Sequence, residues 1–157
     1  MVDFFVPGTA EPAAVRLRDH YQRLYTRLYD EDVAMMTVRQ IELDRIRAGQ
    51  PSGKATRQVI GEIGDLRARL PLEIDFAGMR FKVVELDRKL VAFSARCAHQ
   101  MGPLGDGRIE GGFVECPWHG YRFDIRSGEC VSGAACRLTP APSVKIDSDG
   151  KVVLETT

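Results

Sequence analysis

Cysteine and histidine are scarce in this chain: four of the first and three of the second among 157 residues. Net charge is missing too, because 22 basic residues balance 22 acidic ones. The balance is local as well, with 11 basic and 10 acidic residues up to Leu70 and 11 and 12 after it. Phosphate neutralisation therefore has little to work with, which excludes a nucleic acid as partner. No stretch approaches the roughly 18 apolar residues that span a bilayer, which excludes the membrane. The N-terminal "MVDFFVPGTAEPAA" has no basic residue before Arg16, and Pro7 stops its short apolar run, so no secretory signal is expected. The expectation is a soluble, cytoplasmic protein, where thiols stay reduced and a Cys/His pair points to metal binding or catalysis rather than to disulfides.

Periodicity divides the chain near Pro71. From about Glu11 to Gly49 it is helical, with Val15, Tyr21, Leu24 and Leu28 recurring at three- and four-residue steps or multiples of them. Asp30, Glu31 and Asp32 interrupt the stripe, and Asp30 is expected to cap a second helix carrying Val33, Met36, Leu43 and Ile46. "AGQPSG" at 48–53 is a breaker cluster, after which Val59, Ile63, Leu66 and Leu70 predict a third helix ending before Pro71. Beyond Pro71 apolar and polar residues alternate. "LEIDFAG", "MRFKVVEL", "KLVAFSA", "RFDI", "SVKI" and "KVVLE" read as short antiparallel strands. The fold class is therefore α+β, with a helical extension over 1–70 for docking or oligomerisation and a small β domain over 71–157.

Two of the four cysteines and two of the three histidines fall in "CAHQMG" and "CPWHGY", as Cys97-x-His99, sixteen residues, then Cys116-x-x-His119. Three chemistries use such residues. A tetrahedral structural zinc could take all four, although zinc sites more often pair cysteine with cysteine and histidine with histidine on each turn. A nucleophilic cysteine with a histidine base would leave the other pair idle. A [2Fe–2S] cluster could place two thiolates on one iron and two imidazoles on the other. Thiolates suit ferric iron, while neutral imidazoles donate less negative charge, so the histidine-held iron takes the incoming electron more readily.

"CAHQMGPLGDG" followed by "CPWHGYRFDIRSGEC" resembles the Rieske cluster-binding domain, with "LVAFSARCAH" as the strand leading into the first loop. The resemblance covers about residues 71–155. It implies stacked antiparallel sheets with a Rieske-type [2Fe–2S] cluster at one tip. Cys97 and Cys116 would hold the inner iron, and His99 and His119 the outer, redox-active one. Around them stand Gly102, Gly105, Trp118, Gly120, Tyr121 and Phe123. Gly102, Pro103, Gly105 and Gly120 are expected to let the loops turn tightly and bring backbone N–H groups towards sulfur. Respiratory-type members resemble "C-T-H-L-G-C" and "C-P-C-H-G-S-x-Y", with a disulfide joining the loops. Here Gly102 and Trp118 stand at those cysteine positions, and Tyr121 and Phe123 replace the hydroxyl-bearing serine and tyrosine. Fewer hydrogen bonds to sulfur imply a potential towards the lower end of the Rieske range of about −150 to +300 mV.

The leading expectation is a one-electron carrier, a low-potential Rieske-type ferredoxin that takes electrons from a reductase and gives them to an acceptor enzyme such as an oxygenase. It is not itself an enzyme, because the stretch after His119 leaves no room and no ligands for an oxygenase's mononuclear iron. An electron-transfer or regulatory subunit, like the small subunit of some nitrite reductases, and a redox sensor are the alternatives that the helical extension suggests. Cys130 and Cys136, with no histidine nearby, read as ordinary thiols. Trp118 reads as a hydrophobic lid, and His20 as a surface or packing residue. Tyr21, Tyr25 and Tyr29 read as packing between helices, or as a homo-oligomer interface.

Overall fold

The structure, a computed structural model, describes Gly8, residues 10–48 and residues 56–156. Most of the breaker cluster at 48–53 lies outside the described residues. The chain divides into two compact units, one ending at Val38 and one beginning at Arg39.

One uninterrupted helix, α1, runs Glu11–Ala48. The break expected at Asp30–Asp32 does not occur. These acidic residues are exposed and cost the helix little, and Glu31 accepts from Arg27 one turn earlier at 2.8 Å. Tyr29, Val33 and Met36 are 59%, 65% and 56% exposed, so the apolar stripe of the first unit is not packed between short helices as the sequence suggested. Among the described residues no helix is long and apolar enough to cross a membrane.

The third helix is also corrected. Arg57–Glu62 is a strand, β1, and only Ile63–Ala68 is helical, as α2. Val59 is half exposed while its neighbour Ile60 packs inward, so Val59 never belonged to a helical stripe with Leu66. β1 pairs with the last strand, and Gly61 sits at the register shift. A boundary at Pro71 would therefore cut through a sheet.

The expected strands follow: β2 (Leu72–Phe76), β3 (Met79–Leu86), β4 (Lys89–Ser94), β7 (Arg122–Asp124), β8 (Ser143–Ile146) and β9 (Lys151–Glu155). Beyond Pro71 the alternation missed the short hairpin β5 (Arg108–Glu110) and β6 (Phe113–Glu115). Three antiparallel sheets result, β1-β9-β8, β2-β3-β4 and β5-β6-β7. Alternation along β3 and β4 gives the middle sheet two apolar faces. Val83 and Ala92 pack with Leu66 and Val152 on one face. Val84 and Phe93 pack on the other with Leu104, Val114, Phe123 and Leu138, and this second core also holds Cys97 and Cys116.

Candidate metal centre

Two loops carry the motif residues, and their backbones are nearly the same. The first leaves β4 and is closed at its base by the antiparallel bridge Arg96–Pro103. The second leaves β6 and is closed by the pair Glu115–Arg122 at the start of β7. Inside the first, the Cys97 N–H donates to the Gly102 carbonyl at 2.9 Å, and the Met101 N–H donates back to the Cys97 carbonyl at 3.0 Å. Inside the second, the Cys116 N–H donates to the Tyr121 carbonyl at 2.8 Å and the Gly120 N–H to the Cys116 carbonyl at 2.9 Å. Each loop thus turns in the same number of residues with the same two hydrogen bonds. The fourth residue after each cysteine takes a left-handed backbone, Met101 at φ 60° and Gly120 at φ 69°.

Both thiols are buried, with Cys97 2% and Cys116 1% exposed, whereas His99 and His119 are exposed. The imidazoles stand edge to face, 5.0 Å between centroids at 90°. The ring of Tyr121 stacks on His99 at 4.5 Å and 28°, a contact that no local sequence signal announces.

Cys97 shares a hydrogen bond with Cys116. That contact, with burial adding to it, holds the Cys97 thiol far above its ordinary value. The same contact pulls Cys116 below its ordinary value against the opposing effect of burial, and the N–H groups of Trp118 and His119 help. On Cys97 the matching donors are the N–H groups of His99 and Gln100. The N–H groups brought towards sulfur are therefore those of the residues two and three after each cysteine. Of Gly102, Gly105 and Gly120, only Gly120 has a positive φ. Gly102 serves a different purpose. A Cβ there would lie 2.9 Å from Trp118 Cε3 and 3.1 Å from Cys116 Sγ, so its bareness lets the two loops meet. A Cβ on Gly105 would lie 2.3 Å from Glu73 Oε1 and 3.3 Å from the Ala95 Cβ. The Gly105 N–H donates to the Ala95 carbonyl, and its own carbonyl accepts from Lys82.

Trp118 is half-buried against the second core and Phe123 is fully buried in it. Cys136 and Leu138, in the stretch "GAACRLTPAP", pack against the same core. His20 is exposed on α1, beside Tyr21.

The donor set sorts into two pairs, buried sulfurs that touch and exposed imidazoles that touch. Among the described residues no three histidines, cysteines or carboxylates converge on a single metal ion. Such an arrangement fits a two-iron group better than one tetrahedral zinc. The backbone N–H groups aimed at sulfur also suit thiolates, which need donors when buried.

Comparison with known proteins agrees. Residues 56–143 match the family model "Rieske [2Fe-2S] domain". Methylxanthine N1-demethylase NdmA of Pseudomonas putida is 33% identical over 78 residues, 49% of this chain and 22% of the demethylase. The ferredoxin component of the naphthalene 1,2-dioxygenase system of Pseudomonas putida is 27% identical over 77 residues, 49% of this chain and 74% of that protein. The ferredoxin of carbazole 1,9a-dioxygenase from Nocardioides aromaticivorans IC177 superposes with a TM-score of 0.53 at 23% identity, covering 66% of this chain and 100% of that one. The match thus spans under a quarter of the demethylase but most of each ferredoxin. The chain belongs to the Rieske [2Fe-2S] domain family, and a Rieske-type [2Fe–2S] cluster is its cofactor.

Proposed function

We propose that the chain is a one-electron carrier, taking electrons from a reductase and delivering them to an acceptor enzyme such as an oxygenase. The observation that carries this reading is the pair of exposed imidazoles, His99 and His119, set directly outside two buried thiols. Cys97, Cys116, His99 and His119 would hold the cluster, which supplies one-electron oxidation and reduction when bound. Leu104, Val114 and Phe123 keep water from the sulfurs, while Tyr121 fixes the plane of His99. The exposed ring edges are where an acceptor approaches.

Phe123 has no hydroxyl to offer to sulfur, and the ring of Tyr121 is engaged on His99. Both features support a potential near the low end of about −150 to +300 mV. In this reading the terminal chemistry belongs to the partner, and the chain is a carrier rather than an enzyme. A cytoplasmic location, which keeps thiols reduced, belongs to the same reading.

A second reading rests on α1, whose exposed Leu24, Leu28, Tyr29, Val33 and Met36 support docking to a second copy or to a larger oxidoreductase subunit. Film voltammetry of the cluster-loaded protein tests the carrier. A reversible one-electron couple near the low end of about −150 to +300 mV is expected. A potential several hundred millivolts higher overturns the reading of Tyr121 and Phe123. Light scattering of the purified chain tests the docking reading.

A further inference from the structure

Cys130 and Cys136 lie outside the donor set, yet they are placed as a pair. Glu129 and Arg137 form an antiparallel bridge, so the next residue inward on each side, Cys130 and Cys136, face one another. The Cys130 N–H donates to the Cys136 carbonyl at 3.2 Å, and the two thiols share a hydrogen bond. Directly opposed residues of an antiparallel pair have Cβ atoms about 4.5–5.5 Å apart and Cα atoms about 4.5–5.5 Å apart, and a disulfide takes Cα separations of about 4.4–6.8 Å. Both side chains are half-buried against the core that contains Cys97 and Cys116. The turn between them is hung from the second loop: the Val131 N–H donates to the Arg122 carbonyl at 2.8 Å, and the Arg122 N–H donates to Ser132 Oγ at 2.8 Å. Gly133, at φ 87°, lets the turn close.

We propose that Cys130 and Cys136 are an oxidation-responsive pair that closes to a disulfide with hydrogen peroxide, fastening residues 131–135 to the base of the second loop. One thiol, as thiolate, takes an oxygen from peroxide and becomes a sulfenic acid, and the released hydroxide leaves as water. The second sulfur then attacks the sulfenic sulfur. The S–S bond forms, the S–O bond breaks and a second water departs. Two thiols lose two electrons and two protons in all, and one peroxide becomes two waters. This pair is separate from the cysteines that would hold the cluster, so the response does not require the cluster to be lost.

The test uses the full chain with its cluster loaded, treated with one equivalent of hydrogen peroxide, alkylated, digested and weighed. The expected product is a peptide with an internal 130–136 link, two mass units lighter and closed to alkylation, with the visible spectrum of the cluster retained. Amide exchange at Val131 should slow by about tenfold on closure, since its opening is then confined. In C130S and in C136S the remaining thiol should accumulate as a sulfenic acid that dimedone traps. C130A/C136A should fold and load as before and show no two-unit loss. The proposal is overturned if both thiols stay alkylatable, go on to sulfinic acid, link to another chain, or pair only after Cys97 and Cys116 have been released.

Discussion

The loops at 96–103 and 115–122 share one backbone plan but almost no sequence. Each base is an antiparallel pair, each cysteine makes the same two backbone hydrogen bonds, and each sulfur faces the N–H groups two and three residues on. The histidine offset differs, two residues in the first and three in the second, so His99 occupies the place of Trp118, and His119 the place of Gln100. The cysteines thus occupy equivalent points of two like turns, while the histidines do not. That difference leaves one loop position free for a large ring, and Trp118 takes it, resting on the bare Gly102 of the other loop. In respiratory-type relatives the same two places resemble a cysteine pair. Here a small residue and a large one complement each other across the same gap.

If the equivalence holds, both loops are needed equally. Cys97→Ser and Cys116→Ser should each abolish the cluster, and His99→Ala and His119→Ala should each abolish or convert it. Iron and sulfide analysis with visible absorption of the purified variants checks this. Retention of an unchanged cluster in His119→Ala would break both the comparison and the assignment of ligands.

The next largest effect tests the gap between the loops. Gly102→Ala sets a methyl against Trp118 Cε3 and Cys116 Sγ, and overpacking of this kind costs about 1–3 kcal/mol. Thermal unfolding of the loaded protein should show it. Restoration by Gly102→Ala together with Trp118→Leu, which removes the opposing ring, would confirm that the two positions act as a complementary pair.

How much of this was legible beforehand follows from particular residues. The candidate donors stand out because cysteine and histidine are rare and spaced like one family's motif. β2 to β4 and β7 to β9 could be read because one apolar side chain alternates with one outward-facing one. β1 was misread because Val59, Ile63 and Leu66 happen to fall at helical intervals, while the decisive fact, its pairing with β9 some ninety residues later, is non-local. α1 was broken in two because three acidic residues resemble a cap, although nothing opposes helix where all three are solvated. Contacts between the loops, Gly102 with Trp118 and Tyr121 with His99, join residues without any shared periodicity, so only the folded backbone shows them.

The two loops also leave by different exits. The first runs into a 3-10 turn at Leu104–Asp106, whose Gly105 carbonyl accepts from Lys82. The second runs through β7 to Asp124, whose carboxylate accepts from the Arg126 N–H at 2.9 Å and the Ser127 N–H at 2.7 Å. These donors, with the Ser127 N–H first, hold the Asp124 carboxyl below its ordinary 3.8, and burial opposes them. A carboxyl depressed in the folded state adds stability above its ordinary value and loses it as the pH falls through the folded value. The second exit should therefore loosen below about pH 4, seen as faster amide exchange at Arg126 and Ser127. Asp124→Ala should cost about 1–2 kcal/mol at neutral pH and remove that acid dependence.

The smallest effect isolates the one place where the shared backbone fits the two sequences unequally. Met101 and Gly120 hold the same left-handed turn, at φ 60° and 69°. A side chain there costs about 1–2 kcal/mol, while a glycine costs about 0.5–1 kcal/mol in chain entropy. Gly120→Ala should accordingly destabilise the loaded protein by about 1 kcal/mol, and Met101→Gly should stabilise it by about 0.5 kcal/mol. Met101 is half-buried, so the gain also measures what its side chain contributes by packing. If Met101→Gly destabilises by as much as Gly120→Ala, the first loop is held by that packing rather than by its turn, and the two loops are alike in shape but not in what maintains it.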